Sequence, residues 1–397
     1  MNILSITAQK PESTGSGIYL TELVRTFAAR GRRQAVVAGI YRDDEPELAE
    51  GTEFYPVYFS SGALPFYIAG MSDEMPYKST RYCDMTDEMA KQFENAFLDV
   101  VRRAVEEFKP DLILCHHLYL LTALVREHFP EQRIYGFCHN TDLRQMRKNP
   151  LRRGYIAEQI RRLDAVFVPQ TAQAEGVVQI YRMPPDRIHI SGSGYNQEIF
   201  RKVEGLRQRD GILRLVFAGK IAEKKGVMSL LRSLRYLPYD GESLVLRLAG
   251  GAGNEEEYRE IVRLAEEAPY RVELLGKLSQ KELATVYNES DIFVLPSFFD
   301  GLPLTVIEAL ACADKVVMTD FPGIQDWLKE QAPGAPVFYV PLPQMQNTDE
   351  AVPESLESFE RRLAEKIKEC AEFAMDGAVD MTHLSWENIC ERILEIS

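Results

Sequence analysis

Basic residues are in deficit in this chain: 46 lysines and arginines stand against 60 aspartates and glutamates, leaving a formal net charge of -14. A chain with that balance lacks the broad basic face that neutralises phosphates, which argues against general nucleic-acid binding. Cysteine is scarce too. The six thiols, Cys83, Cys115, Cys138, Cys312, Cys370 and Cys390, form no CxxC pair and no Cys/His ligand spacing, so they read as buried, reduced thiols rather than a disulfide or zinc framework. No apolar run reaches the roughly 18 residues of a membrane span. The first residues form a strand, Ile3 to Thr7, instead of a basic stretch and an apolar core. The expectation is a soluble, unexported, cytoplasmic protein. No GxGxxG follows the first strand, which disfavours a nicotinamide oxidoreductase.

What is present is a repeated strand–loop–helix alternation. The 397 residues exceed the roughly 250 to 300 at which single cores stop growing, so two domains are expected, with 45% hydrophobic content to fill them. The first alternation runs through the strand at Ile3 to Thr7, a loop with Gly15 and Gly17, a helix from Ile18 to Ala29 and a strand from Ala35 to Ile40. Glycines there either let backbone approach a ligand at the helix N-terminus or form a plain flexible turn. Residues 43 to 87 are irregular and rich in aromatics (Phe54, Tyr55, Tyr58, Phe59, Phe66, Tyr67), which reads as a long loop. Strands from Asp111 to Cys115 and from Arg133 to Cys138 then end in His116, His117 and His139. Ligands of open α/β sheets collect at the carboxyl ends of strands, so these histidines stand where chemistry is expected.

The alternation restarts near residue 213. Leu213 to Ala218 is a strand, and Gly219, Lys220, Lys225 and Gly226 lead into a helix from Val227, where a diphosphate would find positive partners. Gly250, Gly251 and Gly253 follow the next strand, and Gly276, Lys277 and Leu278 the one after. The most informative stretch is Asp291 to Asp320, a single β-α-β unit. A buried strand, Ile292 to Leu295, runs into the loop FFDG and then into a helix carrying Leu304, Ile307 and Leu310 at helical spacing, with Pro303 in its first turn. Asp300 in the loop and Glu308 about one turn into the helix are separated by seven residues, so both can face one space. The amides of Leu302, Leu304 and Thr305 border the same space, and carboxylates accept hydrogen bonds from neighbouring sugar hydroxyls.

The string PSFFDGLPLTVIEALA resembles the acidic-x7-Glu motif of retaining glycosyltransferases of GT-B fold, glycosyltransferase family 4. The resemblance implies an α/β protein of two Rossmann-like β/α/β domains facing across a cleft, spanning 1–200 and 201–378, with a C-terminal helix, 379–397, returning to the first domain. Trp386 is then the expected anchor of that return. It implies transfer of a hexosyl unit from a nucleoside-diphosphate sugar, UDP by family frequency, with retention at the anomeric carbon, in glycan, polysaccharide or glycolipid synthesis. On this resemblance Asp300 and His139 position the sugar, while Lys220 and Lys225 stabilise the departing diphosphate. Glu308 holds the ribose, and Gly15, Gly17, Gly219, Gly276, Lys277, Leu278, Gly301, Leu302, Pro303, Leu304 and Thr305 line the nucleotide sugar. Gly194, Tyr195, Asn196 and Phe200 match the family's interdomain signature, and residues 201 to 210 fit a linker. No metal or other cofactor is implied, since such enzymes lack a DxD ion site.

Two departures stand out. The first acid is Asp300 where the family usually has Glu, and Lys220 stands where it usually has Arg, a point charge in place of a planar fork. A sugar-nucleotide epimerase of GT-B fold, or a nucleotide-sugar-binding protein with reduced transfer, stays open beside the transferase. The one basic island, Arg144, Arg147, Lys148, Arg152 and Arg153, is either a solvated face or a peripheral contact with anionic lipid at the inner face of a membrane.

Overall fold

The computed structural model describes every residue except 74, 253, 348, 375–378 and 397. The readings of Gly253 as part of a loop and of 378 as a domain end lie outside the described residues. The chain divides into two compact units, 1–193 with 386–397, and 194–385.

The first unit runs β1 (Asn2–Thr7), α1 (Gly15–Ala29), β2 (Arg33–Ile40), β3 (Glu53–Tyr58), β4 (Ala69–Gly70), β5 (Thr80–Arg81), α2 (Asp87–Phe108), β6 (Leu112–His116) and α3 (Leu120–His128). It continues through β7 (Ile134–Phe137), α4 (Thr141–Lys148), α5 (Arg153–Ile160), β8 (Ala165–Val168), α6 (Thr171–Tyr181) and β9 (Ile188–Ile190). Seven strands form a parallel sheet in the order β3-β2-β1-β6-β7-β8-β9. The apolar runs explain it: Ile3, Leu4 and Ile6 of β1 and Leu112, Ile113 and Leu114 of β6 are all buried, as central strands of a parallel sheet must be.

Four expectations change here. Residues 43 to 87 hold an ordered strand, β3, paired with β2, and their aromatics divide: Tyr55 and Phe59 are buried, the Phe59 ring 6.0 Å from that of Phe97 on α2, while Tyr58 and Tyr67 are exposed. Pro56 disguised the strand, and it is tolerated because β3 sits at the sheet edge. Cys83 is exposed, unlike the other five thiols. The first unit ends at 193 rather than 200, because Tyr195 and Phe200 are buried in the core of the second, Tyr195 N donating to Leu384 O at 3.2 Å. Residues 201 to 210 do not hang loose as a linker. Arg207 pairs with the fully buried Asp314 at 2.5 Å, and Asn288 bonds the backbone of both Arg201 and Val203.

The second unit runs β10 (Leu213–Ala218), α7 (Val227–Ser233), β11 (Leu244–Ala249), α8 (Glu255–Glu266), β12 (Arg271–Gly276), α9 (Gln280–Glu289), β13 (Ile292–Leu295), α10 (Leu304–Ala311), β14 (Lys315–Thr319), α11 (Ile324–Gln331), β15 (Val337–Val340) and α12 (Leu356–Glu372). Its parallel sheet has the order β12-β11-β10-β13-β14-β15. That is the doubly wound arrangement in which strand order reverses once. Pro303 is the N-cap of α10 rather than a first-turn residue. The last helix, α13 (Trp386–Glu395), belongs to the first unit and packs on α1. Trp386 meets Tyr19 edge to face at 4.9 Å, and Arg30 pairs with Glu391 at 2.8 Å. No helix among the described residues is long and apolar enough to cross a membrane.

Candidate functional site

In each sheet the order reverses once, between β1 and β6 in the first unit and between β10 and β13 in the second. Loops leaving such neighbours diverge and open a crevice at the carboxyl ends of the strands. Gly15 and Gly17 follow β1, and His116 ends β6 with His117 just after it. Lys220 and Lys225 follow β10, and Asp300 follows β13.

In the second unit the glycines form a ledge. Gly219 N donates to Ala249 O at 3.0 Å, Ile221 N to Gly251 O at 3.0 Å and Gly250 N to Gly276 O at 2.8 Å, so the turns after β10, β11 and β12 are held edge to edge. The approach is too close for side chains: a Cβ on Gly250 would lie 1.7 Å from Gly219 O. Lys277 lays its aliphatic stem over Gly251, where a Cβ would meet Lys277 Cε at 2.5 Å, and Leu278 is half-buried beside it. Across the switch point, Gly226 at φ +72° stacks against the carbonyl of Pro296, and Phe298 N donates to Lys224 O at 3.0 Å. This seam carries Lys225 to Asp300: Lys225 Nζ donates to Asp300 Oδ2 at 2.7 Å, across 75 residues of sequence. Asp300 also accepts from the Gly301 amide at 3.0 Å.

Behind Asp300, Leu302 and Pro303 lead into α10, whose first-turn residues Leu304 and Thr305 are half-buried. Helix geometry leaves such amides without partners inside the helix, a setting that suits anionic ligands. Glu308 sits one turn in and is 6% exposed. Its carboxylate adds to the burial that raises the Tyr287 phenol well above its usual pKa. Acid pair and lysine pair therefore lie on one end of one sheet, with Asp300 and Lys225 in direct contact.

The first unit gathers a different set. Thr14 caps α1 by accepting from Gly17 N at 3.2 Å, and Ser16 reaches His117 Nε2 at 3.1 Å. His116 and His139 stack at 5.4 Å with planes 13° apart, His116 Nδ1 lying 3.1 Å from His139 Nε2. His117 meets His139 edge-on at 4.8 Å, and Tyr19 lies against His139 at 5.4 Å. Burial pushes the His139 pKa down to about 3, and burial together with the charge of neighbouring rings holds His116 and His117 well below the usual value. All three are neutral near pH 7. His117 (φ +71°) and Asn140 (φ +67°) both hold the left-handed region, which a non-glycine residue enters at a cost and which clusters at functional sites. Buried Asp142 fixes both loops, accepting from Leu118 N at 2.8 Å and His139 N at 3.3 Å. Among the described residues, no group of three or more His, Cys, Asp or Glu is gathered as a metal ion requires.

Sequence reasoning preferred His139 to His116 and His117, and the fold makes the three one cluster. It missed Ser16 and Tyr19, whose sole sequence signal is their position in the first turns of the helix that follows β1. The basic island is only partly at the surface. Arg144 is buried and ion-paired to Asp73, Arg152 pairs with Glu94 at 3.0 Å, and Arg153 donates to Asn149 O at 3.0 Å. Arg147, Lys148 and Arg153 are exposed, so three of the five cations face solvent while Arg144 is buried and Arg152 half-buried.

Comparison with known proteins bears on the fold and the family. The family described as Glycosyltransferase Family 4 matches residues 13–198, and the one described as Glycosyl transferases group 1 matches 196–369. A D-inositol 3-phosphate glycosyltransferase of Xylanimonas cellulosilytica is 28% identical over 176 residues, 41% of this chain and 42% of the relative. The chain spans about half the length of the curated relatives it matches. Among solved structures, the sucrose-phosphate synthase from Thermosynechococcus elongatus superposes with a TM-score of 0.70 at 17% identity, covering 100% of this chain and 98% of that one. Anabaena HepE in complex with UDP-glucose gives 0.63 at 13% identity, covering 100% and 98%. With two parallel-sheet Rossmann-like units, and with family matches that run in succession from residue 13 to residue 369, the chain belongs to the glycosyltransferases of family 4 and group 1, of GT-B fold.

Proposed function

We propose that the chain is a retaining glycosyltransferase that moves a hexosyl unit from a nucleoside-diphosphate sugar, with UDP as the nucleotide, to a hydroxyl acceptor in glycan, polysaccharide or glycolipid synthesis. The observation that carries this reading is the contact of Lys225 with Asp300 beside the glycine ledge and α10. A diphosphate needs cations and backbone amides, and a sugar needs a carboxylate at hydroxyl distance; this corner of the second unit supplies both. A UDP-glucose complex of a protein of the same fold supports the choice of donor.

In the proposed reaction the bond from the anomeric carbon to the diphosphate oxygen breaks, and the acceptor oxygen bonds to that carbon on the same face. Its proton passes to the departing diphosphate. Lys220 and Lys225 offset the charge growing there, Asp300 orients the sugar, and His139 is assigned a hydrogen bond to a ligand hydroxyl. Glu308 accepts from the ribose hydroxyls. Hydrogen bonds to charged groups contribute about 1.5 to 3 kcal/mol, and about 1.4 kcal/mol is tenfold in affinity. Glu308→Ala is therefore expected to weaken nucleoside-diphosphate binding by about tenfold or more, read by calorimetry. Equal affinity in the variant removes the ribose assignment.

The direct test is a thermal-shift screen of the intact chain against nucleoside diphosphates and their sugars. A ligand at about 100 times its Kd adds about 2.7 kcal/mol to the folded state, a shift of several degrees. UDP and a UDP-hexose are expected to raise the unfolding midpoint, and the absence of a shift with every nucleotide rejects the proposal. Donor consumption with and without an acceptor mixture separates transfer from epimerisation, which needs no acceptor.

A further inference from the structure

We infer that His116 is a positioning residue: it donates Nδ1–H to His139 Nε2 and so fixes His139 as the Nδ1–H tautomer, a hydrogen-bond donor to ligand oxygen. The inference deepens the assignment of His139 and rests on it for its effect on turnover, though not for the tautomer itself.

His116 Nδ1 and His139 Nε2 are 3.1 Å apart, and the rings are near parallel. Two neutral imidazoles in hydrogen-bond contact share one proton between the facing nitrogens, so one ring donates and the other accepts. The two choices differ at the far nitrogen of His116. His116 Nε2 is buried and has no hydrogen-bond partner among the described residues. If His139 donated, His116 would carry its proton on Nε2, leaving a buried N–H with nothing to receive it. Orphaned buried N–H groups are rare in folded proteins, and acceptors left short are better tolerated. The proton therefore sits on His116 Nδ1, and His139 carries its own on Nδ1.

The surroundings hold this arrangement. His116 is stacked on Phe137 at 5.0 Å and 11°, with Phe137 stacked in turn on Phe167 at 5.2 Å, so the ring has little freedom to turn over. His117 is engaged through Nε2 with Ser16 and does not contact His116 by hydrogen bond in the described set. A ligand that meets His139 at Nδ1 thus meets a donor. Hydroxyl and carbonyl oxygens satisfy it, whereas an ammonium or amide N–H does not, which favours oxygen-rich ligands.

The test is nitrogen-15 NMR of the histidine rings in the intact chain, which reads the protonation of each ring nitrogen directly. Six histidines are present, and the His139 signals are assigned by their loss in His139→Gln. The expected spectrum shows His139 with Nδ1 protonated and Nε2 bare. In His116→Phe, which keeps the stack and removes the donor, the proton is expected to move to Nε2, the nitrogen that a free neutral histidine side chain prefers to protonate. His116→Asn places an amide N–H near the position of Nδ1 and is expected to restore the Nδ1–H form. Turnover should fall about tenfold in His116→Phe with donor KM little changed, and recover in His116→Asn, whereas a purely structural role would not follow the tautomer. A wild-type spectrum with Nε2 protonated overturns the inference, as does a tautomer unmoved in His116→Phe. If His116→Phe does not fold, the wild-type and His116→Asn spectra still decide. Nδ1 protonated in a protein that transfers no sugar under any condition would count against the proposed function and leave the tautomer in place.

Discussion

Lys225→Ala is expected to lower donor turnover by about 10² to 10³-fold, the loss seen when one preorganised partner of developing negative charge is removed. The expected change in stability is far smaller. Lys225 and Asp300 are 30% and 22% exposed, and ion pairs near the surface typically contribute about 0.2 to 1 kcal/mol, so the unfolding midpoint should move by only a few degrees. That disproportion is what makes the variant informative. If the pair were structural, activity and stability would fall together, and removing both partners in Lys225→Ala/Asp300→Ala would recover much of each. If Lys225 serves the diphosphate, the double variant stays inactive while its midpoint returns toward wild type. Lys225→Arg keeps the charge but exchanges a compact ammonium for a planar fork, and should recover part of the rate. A turnover within threefold of wild type in Lys225→Ala would sink the assignment.

The same pair marks the boundary of what the sequence discloses. Apolar runs located most strands of both sheets to within a residue or two, β3 and β15 excepted, because burial on both faces of a parallel sheet leaves a continuous hydrophobic signature. Lys220, Lys225 and Asp300 were legible as residues that follow strand ends, and Glu308 as one turn into the next helix. That Lys225 and Asp300 should meet came from the family resemblance alone, since their contact depends on strand order, which places β13 beside β10 although two strands intervene in sequence. The failures have the same origin. Arg144 and Arg152 read as part of an outward basic face because their partners, Asp73 and Glu94, lie 71 and 58 residues away. Charge is visible along a chain, but the direction of a side chain is not. Pro56 concealed β3, as proline weakens any local case for a strand, and only the edge position reconciles the two. The role of His116 was hidden for a further reason: a histidine's tautomer depends on what its far nitrogen finds, and that is a property of the packed core.

Gly226→Ala should be strongly destabilising, and the reason is geometric. Gly226 closes the short turn at 223–225 and opens α7 with φ at +72°, and a Cβ there would lie 2.0 Å from the carbonyl oxygen of Pro296 and 2.9 Å from its ring Cγ. Neither obstacle can rotate away, because one is backbone and the other a proline ring. Relief requires the turn to lift from the end of β13. That movement breaks the bond from Phe298 N to Lys224 O and carries Lys225 off Asp300. The expected loss is about 3 to 5 kcal/mol, a fall of about 6 to 15 °C in the midpoint of the second unit, with turnover lowered at least as far as in Lys225→Ala. Gly276→Ala supplies the control. Gly276 has nearly the same backbone, φ +69°, but nothing lies within 4 Å of its would-be Cβ, so it bears only the left-handed strain of about 1 to 2 kcal/mol. Differential scanning calorimetry of the two variants subtracts one cost from the other. If they melt within a degree or two of each other, the tight seam at Pro296 is not what holds the lysine turn against the loop of Asp300, and a different origin for that contact must be found.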